Sequence, residues 1–428
     1  MRRPIRFHAL LVLHCFAFSS SVLLASSRQL EERATGSSQV DLLKAKAENG
    51  ESQAQYLLGQ TFAKGLGVET NYAEAVKWWR RAAEQGIAGA QSELGYSYAH
   101  GRGVSPDCSQ ALHWVQAAAE QGLPAAQYNL GKMYEIGLCT AKDYSHAVLW
   151  YQRAVEQGFG EAENNLAMMY QHGMGVPEDM NRAMQLFGRA ADQGLDAGQY
   201  NLGVVYFSGQ GVHRDYGKAL EWFRRAANHG LSKSYYPICY MYMQGDGVPR
   251  NYAEAAEWCR KSAQAGFAQG QTALGFLYFE GKGVRQDYGQ ALQWWRLAGE
   301  QGEALAQNGV GWIYLNCLGV KCDSREAAGW FAKSAEQGCA TAENNLGHLY
   351  EHGQGLPVDY PEAHKWYRIA AEQGNYLAKN AMKALAEIMT HKQLRESESR
   401  ALAWKQKNKT IEAGDTSIAA IESHTGTQ

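Results

Sequence analysis

A glycine returns every 36 residues along most of this chain, at Gly50, Gly86, Gly122, Gly158, Gly194, Gly230, Gly266, Gly302, Gly338 and Gly374. The interval never gains or loses a residue, so 51–374 divides into nine consecutive 36-residue repeats covering about three-quarters of the 428 residues. Strict periodicity on that scale is the mark of an array in which each repeat buries its apolar face against its neighbours. The composition agrees with an ordered chain: 45% of residues are hydrophobic and 20% charged. The formal net charge is -2, which provides no electrostatic footprint for nucleic acid or an anionic membrane.

Numbering each repeat from 1 to 36 exposes what holds it together. Position 8 is apolar and position 9 small, as in Leu94-Gly95 and Leu274-Gly275. Position 12 is aromatic throughout, position 25 is always alanine, and position 28 is tryptophan except at Leu186. Positions 4, 8, 11 and 12 share one face of a first helix, and 25, 28, 29 and 32 one face of a second. Between the helices runs Gly-x-Gly-Val at positions 15 to 18, whose first glycine suits a left-handed helix end. Asp or Asn at position 21, as at Asp143, Asp215, Asp287 and Asp359, is placed to cap the second helix. Pro237 falls inside the first helix of repeat 6 and predicts a kink there.

The pattern A-x-x-x-L-G-x-x-Y-x-x-G-x-G-V…D-Y-x-x-A-x-x-W-x-x-x-A-A-x-Q-G resembles the Sel1-like repeat family, a relative of the tetratricopeptide repeat with a longer inter-helix loop. The expected fold is all-α, an α-solenoid of about nine 36-residue helix-turn-helix repeats forming a right-handed superhelix with helical caps. Repeats 3 and 8 depart from the pattern: Cys139 replaces the second loop glycine and Cys317 the first. Residues 28–50 are read as a linker with an N-terminal capping helix and 375–391 as a C-terminal capping helix. The Ser-, Thr-, Lys- and Glu-rich 392–428 is read as frayed helix and then disorder, a polar, largely disordered tail.

At the N-terminus, Arg2, Arg3 and Arg6 precede an apolar run from Ala9, followed by small residues at Ala25, Ser26 and Ser27. Residues 1–27 therefore read as a secretory signal peptide, cleaved after Ala25 or Ser27. The expected location is outside the cytoplasm: periplasmic or secreted in a bacterium, ER lumen or secreted in a eukaryote. No later stretch is apolar enough for a span, so no membrane span is expected after signal removal. Export permits disulfides. Cys317 and Cys322 share one loop and are the first expected disulfide pair, and Cys108 and Cys139, in neighbouring loops of successive repeats, are close enough to form a second. Cys239 and Cys259 face each other inside one hairpin, where a disulfide and two buried thiols fit equally. Cys339 is left over.

Motifs for chemistry are sparse. The phosphate-binding and nucleophile-elbow patterns are absent, the Gly-x-Gly-Val runs follow helices, and no cofactor is expected. His348-Leu349-Tyr350-Glu351-His352 matches H-x-x-E-H, but His also stands at the same helix end in His100 and His172. The expectation there is a favourable helix-dipole contact, with no metal. Variation is more informative. Position 10 reads Gln60, Tyr96, Lys132, Met168, Val204, Tyr240, Phe276, Trp312 and His348 down the stack, and position 13 adds Phe207, Met243, Phe279 and Leu315. The resemblance to tetratricopeptide-like solenoids places these positions on the concave side, so Phe207, Tyr240, Met243, Phe276, Phe279, Trp312 and Leu315 are the expected partner-binding residues. Tyr56, Tyr128, Tyr200 and Tyr236 at position 6 extend the surface. The functional expectation is a non-enzymatic, exported protein-interaction scaffold or adaptor for a protein or peptide partner. The alternative, implied by cysteine-rich relatives, is an envelope hydrolase of β-lactamase-like type.

Overall fold

A computed structural model describes residues 39–422, with side chains through 407. The expected signal peptide and the extreme C-terminus lie outside the described residues, and so does most of the expected linker. Every regular element among the described residues is helical. By its internal contacts the chain forms two units, dividing after Ala190. The first holds repeats 1 to 3 and most of repeat 4, and the second holds the rest.

Each repeat is one helical hairpin, as in Ser52–Lys64 with Tyr72–Glu84 and Ala268–Glu280 with Tyr288–Glu300. The alanine at position 25 is fully buried in all nine repeats, because it lies where the two helix backbones approach most closely. Opposite it, the small residue at position 9 receives the side chain at position 29. A Cβ added at Gly275 would come within 2.5 Å of the Trp295 ring, and one at Gly203 within 2.8 Å of Phe223. In repeat 6 a disulfide between Cys239 and Cys259 occupies the same pair of positions. The covalent pair replaces a glycine–aromatic contact, which is why both sulfurs are fully buried.

The loops follow the same logic. The first loop residue adopts a left-handed conformation, as at Gly101 (φ 67°) and Gly281 (φ 68°). Cys317 holds that conformation in repeat 8 with φ 59° and is joined to Cys322. The second loop glycine presses on the start of the preceding repeat's second helix. A Cβ on Gly283 would meet the carbonyl oxygen of Tyr252 at 2.0 Å, and one on Gly103 that of Tyr72 at 2.3 Å. In repeat 3 this glycine is Cys139, and the residue it approaches is Cys108, to which it is bonded. That disulfide therefore ties two successive repeats at a contact the fold makes anyway. Asp or Asn at position 21 caps the second helix as expected, with Asp143 accepting from the His146 amide at 3.0 Å and Asp287 from Gln290 at 2.9 Å.

A glutamine ladder stitches repeats together. The Gln271 amide donates to the Ala263 carbonyl of the preceding repeat at 3.3 Å and accepts from Gln301 of its own repeat at 2.8 Å. The same arrangement recurs at Gln55, Gln91, Gln127 and Gln307. Repeats 4 and 9 place a fully buried carboxyl there instead, Glu163 and Glu343. Glu163 is paired with Arg189. Glu343 receives the Gln373 amide at 2.8 Å, and burial pushes its pKa up from the ordinary 4.5 to about 7.

Two elements depart from the simple pattern. Around Pro237 the first helix of repeat 6 is broken: a 3₁₀ turn, Ser232–Ser234, takes up its start, and the α-helix Tyr235–Gln244 begins afterwards. The proline then occupies the first turn, where its missing N–H costs nothing. The segment after 391, expected to be largely disordered, forms a helix, His391–Glu422. Its early part docks on repeat 9: Arg400 contacts Asp359 at 2.8 Å and Glu362 at 3.0 Å, Ser397 shares a buried hydrogen bond with His364 at 2.6 Å, and Trp404 meets the Trp366 ring edge-on. Between the repeats and this helix, Tyr376–Ile388 supplies the expected capping helix.

Candidate functional site

An apolar depression lies in the second unit, on the first helices of repeats 6, 7 and 8 (Tyr235–Gln244, Ala268–Glu280 and Ala304–Leu315). It encloses about 460 Å³. Helical spacing and the 36-residue period together explain it. Position 10 projects from each helix on the side away from the hairpin partner, so successive repeats set Tyr240, Phe276 and Trp312 in a row. These three remain 37%, 36% and 41% exposed, large apolar areas that the hairpins do not cover.

Five of the seven expected partner-binding residues come together here: Tyr240, Met243, Phe276, Phe279 and Trp312. Phe207 and Leu315 do not line the depression. Phe207 packs on Phe223 and Tyr216 and touches only the edge of Tyr240, while Leu315 packs against the buried cluster around Phe331 and Leu346. Position 13 points partly back toward the hairpin, so its side chains also pack on the buried clusters. The floor is the Trp295 ring, held by its indole N–H donating to the Thr272 carbonyl at 3.0 Å. Gly309 leaves room for that ring, since a Cβ there would lie 2.5 Å from it.

Sequence reasoning missed Leu305, at position 3, which is exposed at the rim. Its signal is the unusual leucine at a position that template packing does not use. The polar part of the lining comes mainly from Tyr236, Thr272 and Asn308 at position 6 and from the carboxylates Glu280 and Glu303. Burial, with Tyr240 and Glu303 nearby, raises the Tyr236 pKa and keeps its hydroxyl neutral. Lys282 sits over the Phe276 ring and 3.5 Å from Glu280. The arrangement offers aromatic faces, neutral hydroxyl and amide groups, and negative charge at the edge.

The first unit carries a smaller depression of about 240 Å³ at Gln60, Tyr96, Glu93 and Arg102, where position 10 again contributes. Burial pushes the Glu93 pKa up, against the opposing pull of Lys64 and Arg102. Among the described residues one group of side chains has metal-ligand chemistry: one donor atom each of His348, Glu351 and His352 lies within 4.8 Å of the others. No helix among the described residues is long and apolar enough to cross a membrane.

Comparison with known proteins follows the same 36-residue frame. Sel1 repeats match at 52–87, 88–123, 124–159, 160–195, 196–231, 232–267, 268–303, 304–339 and 340–375. A protective antigen of uropathogenic Escherichia coli with an SLR fold is similar over 92% of this chain and 83% of its own, at 33% identity and a TM-score of 0.78. A Sel1 repeat protein from Oxalobacter formigenes is similar over 72% of this chain and 89% of its own, at 33% identity and a TM-score of 0.54. No curated protein matches the chain. A hairpin with a buried alanine at its crossing, repeated nine times with matching loops and caps, is the Sel1 repeat architecture, and the chain belongs to the Sel1 repeat family.

Proposed function

We propose that this chain is an exported interaction scaffold that holds a peptide segment of a partner protein in the depression formed by repeats 6, 7 and 8. The observation that carries the reading is the exposed row Tyr240, Phe276 and Trp312. Nothing in the hairpin template requires aromatic residues at position 10, and Lys132 and Gln60 occupy it elsewhere. Exposed aromatics over a rigid floor are the composition of interface hot spots. The carboxylates Glu280 and Glu303 favour a segment that carries apolar side chains beside a Lys or Arg. Export is supported by the basic-then-apolar N-terminus, by three disulfides, and by the similarity to a protective antigen. No observation favours the hydrolase alternative.

The test is selection of a displayed random-peptide library on the full chain, followed by fluorescence anisotropy of the selected peptides. Replacing Tyr240, Phe276 and Trp312 together by Ala is expected to weaken binding at least ~100-fold, at about 2 kcal/mol for a hot-spot aromatic. Circular dichroism checks that helicity is unchanged. Equal affinity in the triple variant overturns the assignment.

A further inference from the structure

The end of the first helix of repeat 9, Ala340–His352, gathers three side chains that the groove does not use. His348 and His352 are one turn apart and Glu351 lies between them, so all three project from neighbouring parts of one face. The two imidazole rings are 4.2 Å apart between centroids. His352 Nδ1 lies 3.1 Å from the His348 carbonyl oxygen. A carbonyl only accepts, so this nitrogen carries the proton, and the lone pair of His352 is left on Nε2, facing away from the backbone. One oxygen of Glu351 accepts from the Tyr367 hydroxyl at 2.7 Å, and Tyr367 is almost fully buried. Both contacts are of the kind that orient metal ligands from behind.

From this geometry we infer that His348, Glu351 and His352 form an open binding site for a divalent transition metal. Two imidazole nitrogens and one carboxylate oxygen suit zinc, nickel or copper, and a four-coordinate ion held by three protein groups keeps one position free. Two other repeats isolate the parts of the site. Repeat 2 stacks Tyr96 on His100 at the corresponding positions, with the same Nδ1 contact to the carbonyl one turn back, but only one of its rings is a ligand. Repeat 3 has the Tyr151–Glu135 pair and no histidine beside it. Only repeat 9 combines the ring pair with the anchored carboxylate. The inference is independent of the groove.

The test is isothermal titration of the chelator-treated full chain with zinc chloride and, separately, nickel chloride. One ion per chain is expected. His348→Ala and His352→Ala are each expected to weaken binding by about tenfold or more, and Tyr367→Phe by a similar factor through the freed carboxylate. Phenylalanine stands at the Tyr367 position in repeats 4, 5 and 8, as Phe187, Phe223 and Phe331, so this variant retains the packing. His100→Ala and Cys339→Ser are expected to leave affinity unchanged. X-ray absorption of the zinc-loaded unsubstituted chain, which depends on no variant, is expected to show two imidazole ligands and oxygen. Absence of binding to both metals, affinity unaffected by the double His→Ala substitution, or a sulfur ligand overturns the site.

Discussion

Glu343→Gln tests the reasoning behind the repeat interface quantitatively. Glu343 is fully buried where most repeats carry the glutamine that donates to the preceding repeat's carbonyl. An ionised carboxylate has no proton to donate, and burial raises its pKa from 4.5 to about 7. Below pH 4.5 the folded and unfolded states are both protonated and carry no penalty. Between about 4.5 and 7 the unfolded chain releases the proton while the folded one retains it, so stability falls through that window and levels off above it. At about 1.36 kcal/mol per pKa unit the full loss is ~3 kcal/mol, which solvent screening of this carboxyl reduces to about 2 kcal/mol. Glutamine at 343 removes the titration and restores the donor, while its oxygen still accepts from Gln373 as Gln307 does from Gln337. Urea titrations followed by circular dichroism are therefore expected to show the variant more stable by about 2 kcal/mol at pH 8 and by only a fraction of that at pH 5. An equal gain at both pH values, or a loss at pH 8, refutes the argument.

Other substitutions probe separate contacts. Gly283→Ala forces a methyl against the Tyr252 carbonyl at a positive φ and is expected to cost about 2 kcal/mol or more, measured by the same urea titration. Cys108→Ser with Cys139→Ser opens a loop with a sequence separation of 31 and is expected to cost about 3–4 kcal/mol on the chain-entropy account. The loss should match that produced by a reductant at this bond, read by hydrogen exchange in repeats 2 and 3. Trp404→Ala removes the edge-on contact with Trp366 and is expected to cost roughly 1 kcal/mol. It should speed hydrogen exchange in Tyr360–Glu372 ahead of the rest of the second unit.

The hairpins were legible in the sequence because each template residue has one physical job, repeated nine times. Alanine at 25 marks the helix crossing, glycine at 15 the left-handed turn, and Asp at 21 the cap. The cysteine pairs were legible as neighbours in loops and within one hairpin, but not the reason for them: Cys108–Cys139 and Cys239–Cys259 replace contacts between positions 17 and 22, and 9 and 29, that only the packing shows. The helix after 391 read only as a frayed end because its docking stripe is Leu394, Ser397, Ala401 and Trp404. Two small residues that permit close approach give almost no hydropathy signal, and Arg400 finds its carboxylates only across the tertiary contact. Within the groove, position 10 was legible because variation there is unconstrained by packing. Position 13 was only partly so: all four side chains pack partly on the core, but only Met243 and Phe279 also line the depression.

The central claim is where the partner sits. Hydrogen exchange of the full chain, with and without a selected peptide at saturation, reads this without any substitution. The account predicts added protection in Tyr235–Gln244, Ala268–Glu280 and Ala304–Leu315, with the first helices of repeats 1 to 3 unchanged. Protection confined to the inter-helix loops, to the second helices or to the helix after 391 contradicts it.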